Sequence, residues 1–532
     1  MGEFRFPPLR TDSMNEVTFA LTTEVLPPPT PLRLGIPTID MVKLPNGTTS
    51  FLYDDFSGNV GKVYHWTLAP DSIKGLVLVC NGSFLGGTTF QRKIVFLTAY
   101  DDLCITLASN GFVVICLRHT PGSGVAAAEA DIFNMLKSAM EDPMGKFSKF
   151  KLKGRPVAFV GHSEGGRGAI QAAQRIASGE LSQFVTKIKA LVGFAPTVLT
   201  SKKGFTDALL ILQGSHDGDS PAGGECMRIF ETADVLSKYF LWIHGANHSR
   251  FLQPNFVEQD FAISGETDAD KIQRIDQLTQ VFIAKNYVTM FLLLQLAGAE
   301  QFRPVFTGDA DVAWVPPPDA GVISNDIKSK RFRALPLYGR TTVVPVATSF
   351  IAEQMFQDNL VPISEIHPLK VDVLRDLHVT LLVHHVKGSV VQWNRNLKTA
   401  VSPKFTVICD KTLMALLPKF IEFQAILTAR SSQNPGPPPQ PAAIVAVTLK
   451  SGNTKSLPVT VVIERSIDLD FITNNSALNA SRSILSTIRI PISKFGSLPA
   501  GFLASSDLVL DFTVAPSKTG QVALANFGIS WV

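Results

Sequence analysis

From about residue 60 to residue 300 the chain alternates short, continuously apolar runs with longer stretches of helical periodicity. The runs are Gly75 to Cys80 (GLVLVC), Phe112 to Leu117 (FVVICL), Pro156 to Val160 (PVAFV), Ala190 to Phe194 (ALVGF), Leu209 to Leu212 (LLIL) and Phe240 to Ile243 (FLWI). Strands covered by helices on both faces are hydrophobic at successive positions, because neither set of alternating side chains meets water. The pattern therefore predicts parallel βαβ units, closed by a helix over Ala269 to Ala297. Inside that helix the stretch Val288 to Leu296 (VTMFLLLQL) is too short to span a bilayer, so it is read as part of a core helix and no transmembrane segment is expected.

Past about residue 310 the pattern changes to Pro-rich connections and short β-branched runs. TVICD (406 to 410), FIEFQAILTA (420 to 429), AAIVAVTLK (442 to 450), VTVVIE (459 to 464), STIRIPI (486 to 492), LVLDFTV (508 to 514) and VALANFGIS (522 to 530) predict an antiparallel sandwich. The stretch SSQNPGPPPQPA (431 to 442) reads as a linker or as a long loop inside one sandwich, and the strands on either side favour the loop.

Composition narrows the class. A chain of 532 residues exceeds one ordinary core, so two domains, or three, are expected. Forty-five per cent of residues are hydrophobic and 18% charged, with mean hydropathy +0.19, which supports a large core. Forty-nine Lys and Arg stand against 45 Asp and Glu, a net charge of +4 with no basic block, so no nucleic-acid partner is expected. The five cysteines, Cys80, Cys104, Cys116, Cys226 and Cys409, form no CxxC pair and no metal-ligand spacing. Cys80 and Cys116 lie in apolar runs, where a thiol is a small buried hydrophobe. This usage suits a reducing compartment, and MGEFRFPPLRTDSMNE does not read as a signal peptide. A cytoplasmic location is the expectation, or a secreted one if a leader was removed.

The candidate chemistry lies at the ends of the predicted strands. In PVAFVGHSEGGRGAIQAA, Gly161, Ser163 and Gly165 stand between an apolar strand and a helix rich in small residues. That context predicts a strained strand-to-helix elbow presenting Ser163 as a nucleophile. A serine hydroxyl needs a base, and His248 in FLWIHGANHSRF follows a later strand and a Gly-containing loop. His244 at the strand end is read as structural, and His162 and His119 as residues lining the pocket, because neither fits the chain order nucleophile, acid, base. The orienting acid comes from LLILQGSHDGDSPA, which supplies Asp217 and Asp219. The developing oxyanion needs N–H donors: that of Glu164 after the nucleophile, and that of Ser83 in NGSFLGG, with Phe84 as alternate. Gly82, Gly86 and Gly87 keep that loop permissive.

GHSEGG, QGSHDGD and GANHSRF, in that order, resemble the α/β-hydrolase superfamily, in particular the branch holding dienelactone hydrolases, platelet-activating-factor acetylhydrolases and polyester hydrolases. The resemblance covers about residues 60 to 305 and departs from the family at Asn81, where many members have HG or PG in place of NG. It implies a mostly parallel sheet flanked by helices, selects Asp217 over Asp219, and implies cleavage of carboxylic esters through an acyl-enzyme without a cofactor. The C-terminal LSTIRIPISKF and TGQVALANFGIS resemble a galactose-binding-like jelly roll. That implies a module contacting carbohydrate or polymer, or one serving packing and oligomerisation, and Trp393 reads equally as core or ligand-facing. The expected layout is a hydrolase domain over 1–310 with an N-terminal extension over 1–55, a linker over 311–329 and a β-sandwich over 330–532.

The leading expectation is a serine ester hydrolase acting on a small or polymeric ester. An amidase or peptidase on the same triad is the alternative, with no acidic specificity pocket visible. The third reading is a non-catalytic binding protein that keeps the fold as a scaffold.

Overall fold

The computed structural model describes residues 4–5, 19–20, 42–43, 48–54, 60–66, 70–82, 99–117, 125–197, 204–214, 217, 226, 229–230, 233–243, 245–252, 275–307, 312–314, 334–339, 344–345, 347–353, 388–393, 404–427, 442–464, 486–513 and 520–530. They fall into two compact units, one holding the described residues of 1–6, 18–306 and 312–334 and the other those of 307–311 and 335–532.

The first unit is built on one sheet. Its strands are β1 (Val42–Lys43), β2 (Thr48–Asp54), β3 (Val60–Trp66), β4 (Gly75–Cys80), β5 (Phe112–Leu117), β6 (Val157–His162), β7 (Ile188–Phe194), β8 (Thr206–Gly214) and β9 (Ser237–Ile243). Their spatial order is β9-β8-β7-β6-β4-β5-β3-β2-β1. Strands β4 to β9 are all parallel, and β3, β2 and β1 continue the sheet in antiparallel fashion. Every residue of β4, β5 and β6 is buried, the outcome expected of strands with both faces covered.

Among the described residues the longer helices of this unit are α1 (Asp101–Ser109), α2 (Val125–Glu141), α3 (Glu164–Ala177) and α4 (Gln277–Ala297). Helices α2 and α3 meet at Gly168, where a Cβ would lie 2.6 Å from the Ala128 Cβ. Helix α4 begins later than the apolar periodicity predicts. The Asp276 carboxylate accepts from the Thr279 N–H at 2.8 Å and caps the first turn, and Gly298 at φ 68° ends the helix. It is also longer than its lipophilic stretch alone. Its 21 residues have the length and composition of a bilayer span, and 83% of the most apolar stretch is buried inside the protein. All five cysteines are buried thiols outside any disulfide.

Five of the described strands fall in segments read from the sequence as extension and linker: Phe4–Arg5, Phe19–Ala20, β1, β2 and Val312–Trp314. β1 and β2 join the main sheet, and Val312–Trp314 pairs with Phe4–Arg5 on one side and Phe19–Ala20 on the other.

In the second unit, Phe420–Leu427, Ser486–Pro491, Gly520–Ser530 and Gly388–Trp393 form one antiparallel sheet. Ala347–Glu353, Lys404–Cys409, Asp507–Thr513, Ala442–Ser451 and Val459–Glu464 form another. Alternate residues of both sheets, such as Ile421, Phe423 and Ile490 from the first and Val407, Val445 and Leu510 from the second, share one apolar core. Trp393 ends its strand opposite Gly520.

The order of connections places the site. From β4 the chain passes through α1 to β5 on one side, and from β6 through α3 to β7 on the other. The adjacent strands β4 and β6 thus part at a topological switch point, and in open α/β sheets the crevice at the carboxyl ends of such strands is where ligands bind.

Candidate active site

Ser163 sits in that crevice, directly after β6. Its backbone adopts φ 52° and ψ −122°, a strained conformation for a residue with a Cβ. The surroundings enforce it. The Ser163 N–H donates to the Phe194 carbonyl at 2.8 Å, and its own carbonyl accepts from Arg167 at 3.2 Å and Thr197 at 3.3 Å. Close main-chain approach explains the flanking glycines: a Cβ on Gly161 would lie 2.4 Å from the Gly165 oxygen, and one on Gly165 2.3 Å from the Asn81 oxygen. The end of β4 also closes on the nucleophile, since a Cβ on Gly82 would stand 2.7 Å from Ser163 Cβ and 3.4 Å from its Oγ.

Asp217 and His248 meet across the ends of β8 and β9. His248 Nδ1 lies 2.8 Å from Asp217 Oδ2, with both residues buried. A carboxylate only accepts, so Nδ1 carries the hydrogen and Nε2 keeps its lone pair. Gln213 Nε2 donates to the same Oδ2 at 2.9 Å and fixes the carboxylate from behind. The loop carrying His248 is held as firmly. Gln280 of α4 accepts from the Asn247 N–H at 2.9 Å and donates to the Asn247 carbonyl at 2.6 Å. Ser249 N–H donates to Asn247 Oδ1 at 2.8 Å. Gly214 lets the loop rest on the end of β8, where a Cβ would meet the Ala246 oxygen at 2.3 Å.

His162, expected to line the pocket, is buried beside the base, its ring centroid 4.9 Å from that of His248. Phe194 and Phe251 pack edge-on to it at 6.5 and 5.9 Å. Burial pushes its pKa well below the ordinary histidine range, and neighbouring His248 acts in the same direction.

Of the predicted residues, Asp217 and His248 are therefore brought together, Ser163 follows β6 at the same carboxyl edge of the sheet, and Glu164 opens α3 immediately after the serine. Among the described residues no hydrogen bond joins the Ser163 hydroxyl to His248, so the serine-to-base link is the one not closed. Ser83, Phe84, Gly86, Gly87, His119, Asp219 and His244 lie outside the described residues. Asn81, the departure from the family pattern, is fully buried and neither polar atom of its carboxamide is hydrogen-bonded. Sequence reasoning missed Gln213, Gln280 and Tyr100, whose hydroxyl lies 2.6 Å from His162 Nδ1. The signals available for the first two were a polar residue closing the LLIL run and another inside an apolar helix; Tyr100 gave none.

No protein-family model matches the chain, and no curated protein matches it either.

Proposed function

We propose that residues 42–306 form a serine hydrolase of the α/β-hydrolase type that cleaves carboxylic esters. The observation carrying this reading is the buried 2.8 Å Asp217–His248 pair, at the same sheet edge as a serine held in a strained elbow. The order of the strands, with its switch point between β4 and β6, is compatible with that fold. Ser163 Oγ attacks the ester carbonyl while His248 Nε2 takes its proton. Asp217 holds the ring in the tautomer that leaves Nε2 basic and stabilises the imidazolium that forms. The tetrahedral oxyanion is received by the N–H of Glu164, joined by that of Ser83. His248 then protonates the departing alkoxide, and water, activated by the same base, releases the acid from the acyl-enzyme. Serine-to-base hydrogen bonds commonly tighten only with substrate in place, which accommodates the open link in the free protein. For the second unit the two antiparallel sheets around one core support a jelly roll of the galactose-binding type, serving contact with a carbohydrate or polymer.

Ser163→Ala tests the assignment. Turnover of a short-chain p-nitrophenyl ester should fall by about 10³-fold or more while the circular dichroism spectrum stays the same. A fluorophosphonate probe should label Ser163 in the wild type only. Unchanged turnover in the variant overturns the reading.

A further inference from the structure

We propose that His162, held in a single tautomer by Tyr100, is a positioning residue that anchors the main chain of His248 to the nucleophile strand. The kinetic part of this proposal rests on the ester-hydrolase reading; the structural part does not.

His162 is the last residue of β6, and the next residue is the serine. Its Nε2 lies 3.0 Å from the His248 carbonyl oxygen, and its Nδ1 lies 2.6 Å from the Tyr100 hydroxyl. A carbonyl oxygen can only accept, so Nε2 carries the hydrogen. In a neutral ring Nδ1 is then the acceptor, and the Tyr100 hydroxyl donates to it. The reverse tautomer would set the Nε2 lone pair against the lone pairs of the carbonyl. Aromatic rings surround the histidine, and among the described residues the polar groups hydrogen-bonded to it are the Tyr100 hydroxyl and the His248 carbonyl, so the site favours the uncharged ring. With both nitrogens engaged, His162 cannot compete with His248 for the serine proton.

The consequence is a second anchor on the base. Asp217 holds the His248 ring at Nδ1, and His162 holds the same residue by its carbonyl. Two anchors on one residue restrict where Nε2 can lie, and that position decides whether the serine proton can be taken. A displacement of about 1 Å at such a point can cost about 10²-fold in rate. Tyr100, which precedes α1 and stacks on Phe194, extends the tie to the neighbouring helix.

Three variants, the histidine spectrum and amide exchange decide the matter. In ¹⁵N-histidine spectra of the wild-type full chain, His162 should show a protonated Nε2 and an acceptor Nδ1. Tyr100→Phe should lower kcat for the p-nitrophenyl ester about tenfold and His162→Leu about a hundredfold, with KM changed far less. His162→Gln, which keeps an N–H near the Nε2 position, should recover most of that loss. Amide exchange over residues 245–249 should quicken in His162→Leu and Tyr100→Phe but not in His162→Gln. A wild-type kcat in His162→Leu, a protonated Nδ1 on His162, or equal losses in the Leu and Gln variants would overturn the proposal. A wild type that neither turns over esters nor reacts with fluorophosphonate sinks the hydrolase reading instead. The tautomer and the exchange pattern then judge the anchoring by themselves.

Discussion

At Gly165 the absence of one carbon decides whether the elbow can form. A Cβ there would lie 2.3 Å from the Asn81 oxygen and 2.7 Å from that of Cys80, both main-chain atoms that no side-chain rotation can move aside. The strained serine before it costs roughly 1–3 kcal/mol and survives only because its surroundings leave it no alternative. Gly165→Ala should therefore cost about 1–3 kcal/mol of stability and also lower kcat, because the relief comes by shifting Ser163. Gly168→Ala makes an informative partner. Its Cβ would meet the Ala128 methyl at 2.6 Å, a helix-to-helix contact away from the nucleophile, so stability should fall while kcat holds. Urea midpoints, set beside turnover per fluorophosphonate-reactive site, separate the two effects. A Gly165→Ala protein with full kcat would show that the elbow tolerates the shift.

Among elements, α4 matters through one side chain. Gln280 saturates both polar groups of the Asn247 peptide, which is buried next to the base. Gln280→Leu removes both partners and leaves a buried N–H and a buried carbonyl unpaired, at about 1–3 kcal/mol each. Thermal denaturation should show the loss, and turnover should drop as the His248 loop loosens. An unaltered Tm would mean that water replaces the amide. The same residue marks what the sequence could convey. Strands β4 and β5 were legible to the residue because they are apolar throughout, and β6 and β8 were legible only to where their apolar runs stop. Polar Gln213 carries β8 on to Gly214, and β6 runs through Gly161 to end at polar His162; both polar residues are buried by tertiary partners that periodicity does not see. β2 and β3 (TTSFLYD and VGKVYHW) mix polar and apolar positions, and Lys62 in β3 is buried only because Asp101 pairs with it at 2.9 Å. The triad candidates were readable from motif and order. Tyr100 was not, since strand order alone brings it to a histidine 62 positions away.

At the scale of the whole first unit, its buried ionisable groups set how stability responds to pH, and two of them act in opposite directions. Burial raises the Asp101 carboxyl pKa, against the opposing pull of Lys62 and the hydrogen bond from Tyr64. A carboxyl raised on folding contributes stability that is full below its unfolded pKa and lost as pH rises through its folded one, so Asp101 does not weaken the fold on acidification. His162 behaves the other way. Its pKa is pushed below the ordinary value of about 6.5, so the unfolded chain takes up a proton that the native ring refuses. Stability is intact above about pH 6.5 and is lost as pH falls from there toward the folded pKa. One such group gives a limiting slope of about 1.4 kcal/mol per pH unit. The urea midpoint of the first unit, followed by exchange protection of the β6 peptides, should thus hold steady from pH 8 to about 7 and decline below about 6.5. His162→Gln cannot take up that proton in either state, so its decline should be shallower by up to the same slope. Parallel curves for the two proteins would show that His162 is not the group responsible, and that the acid limb belongs to another buried residue.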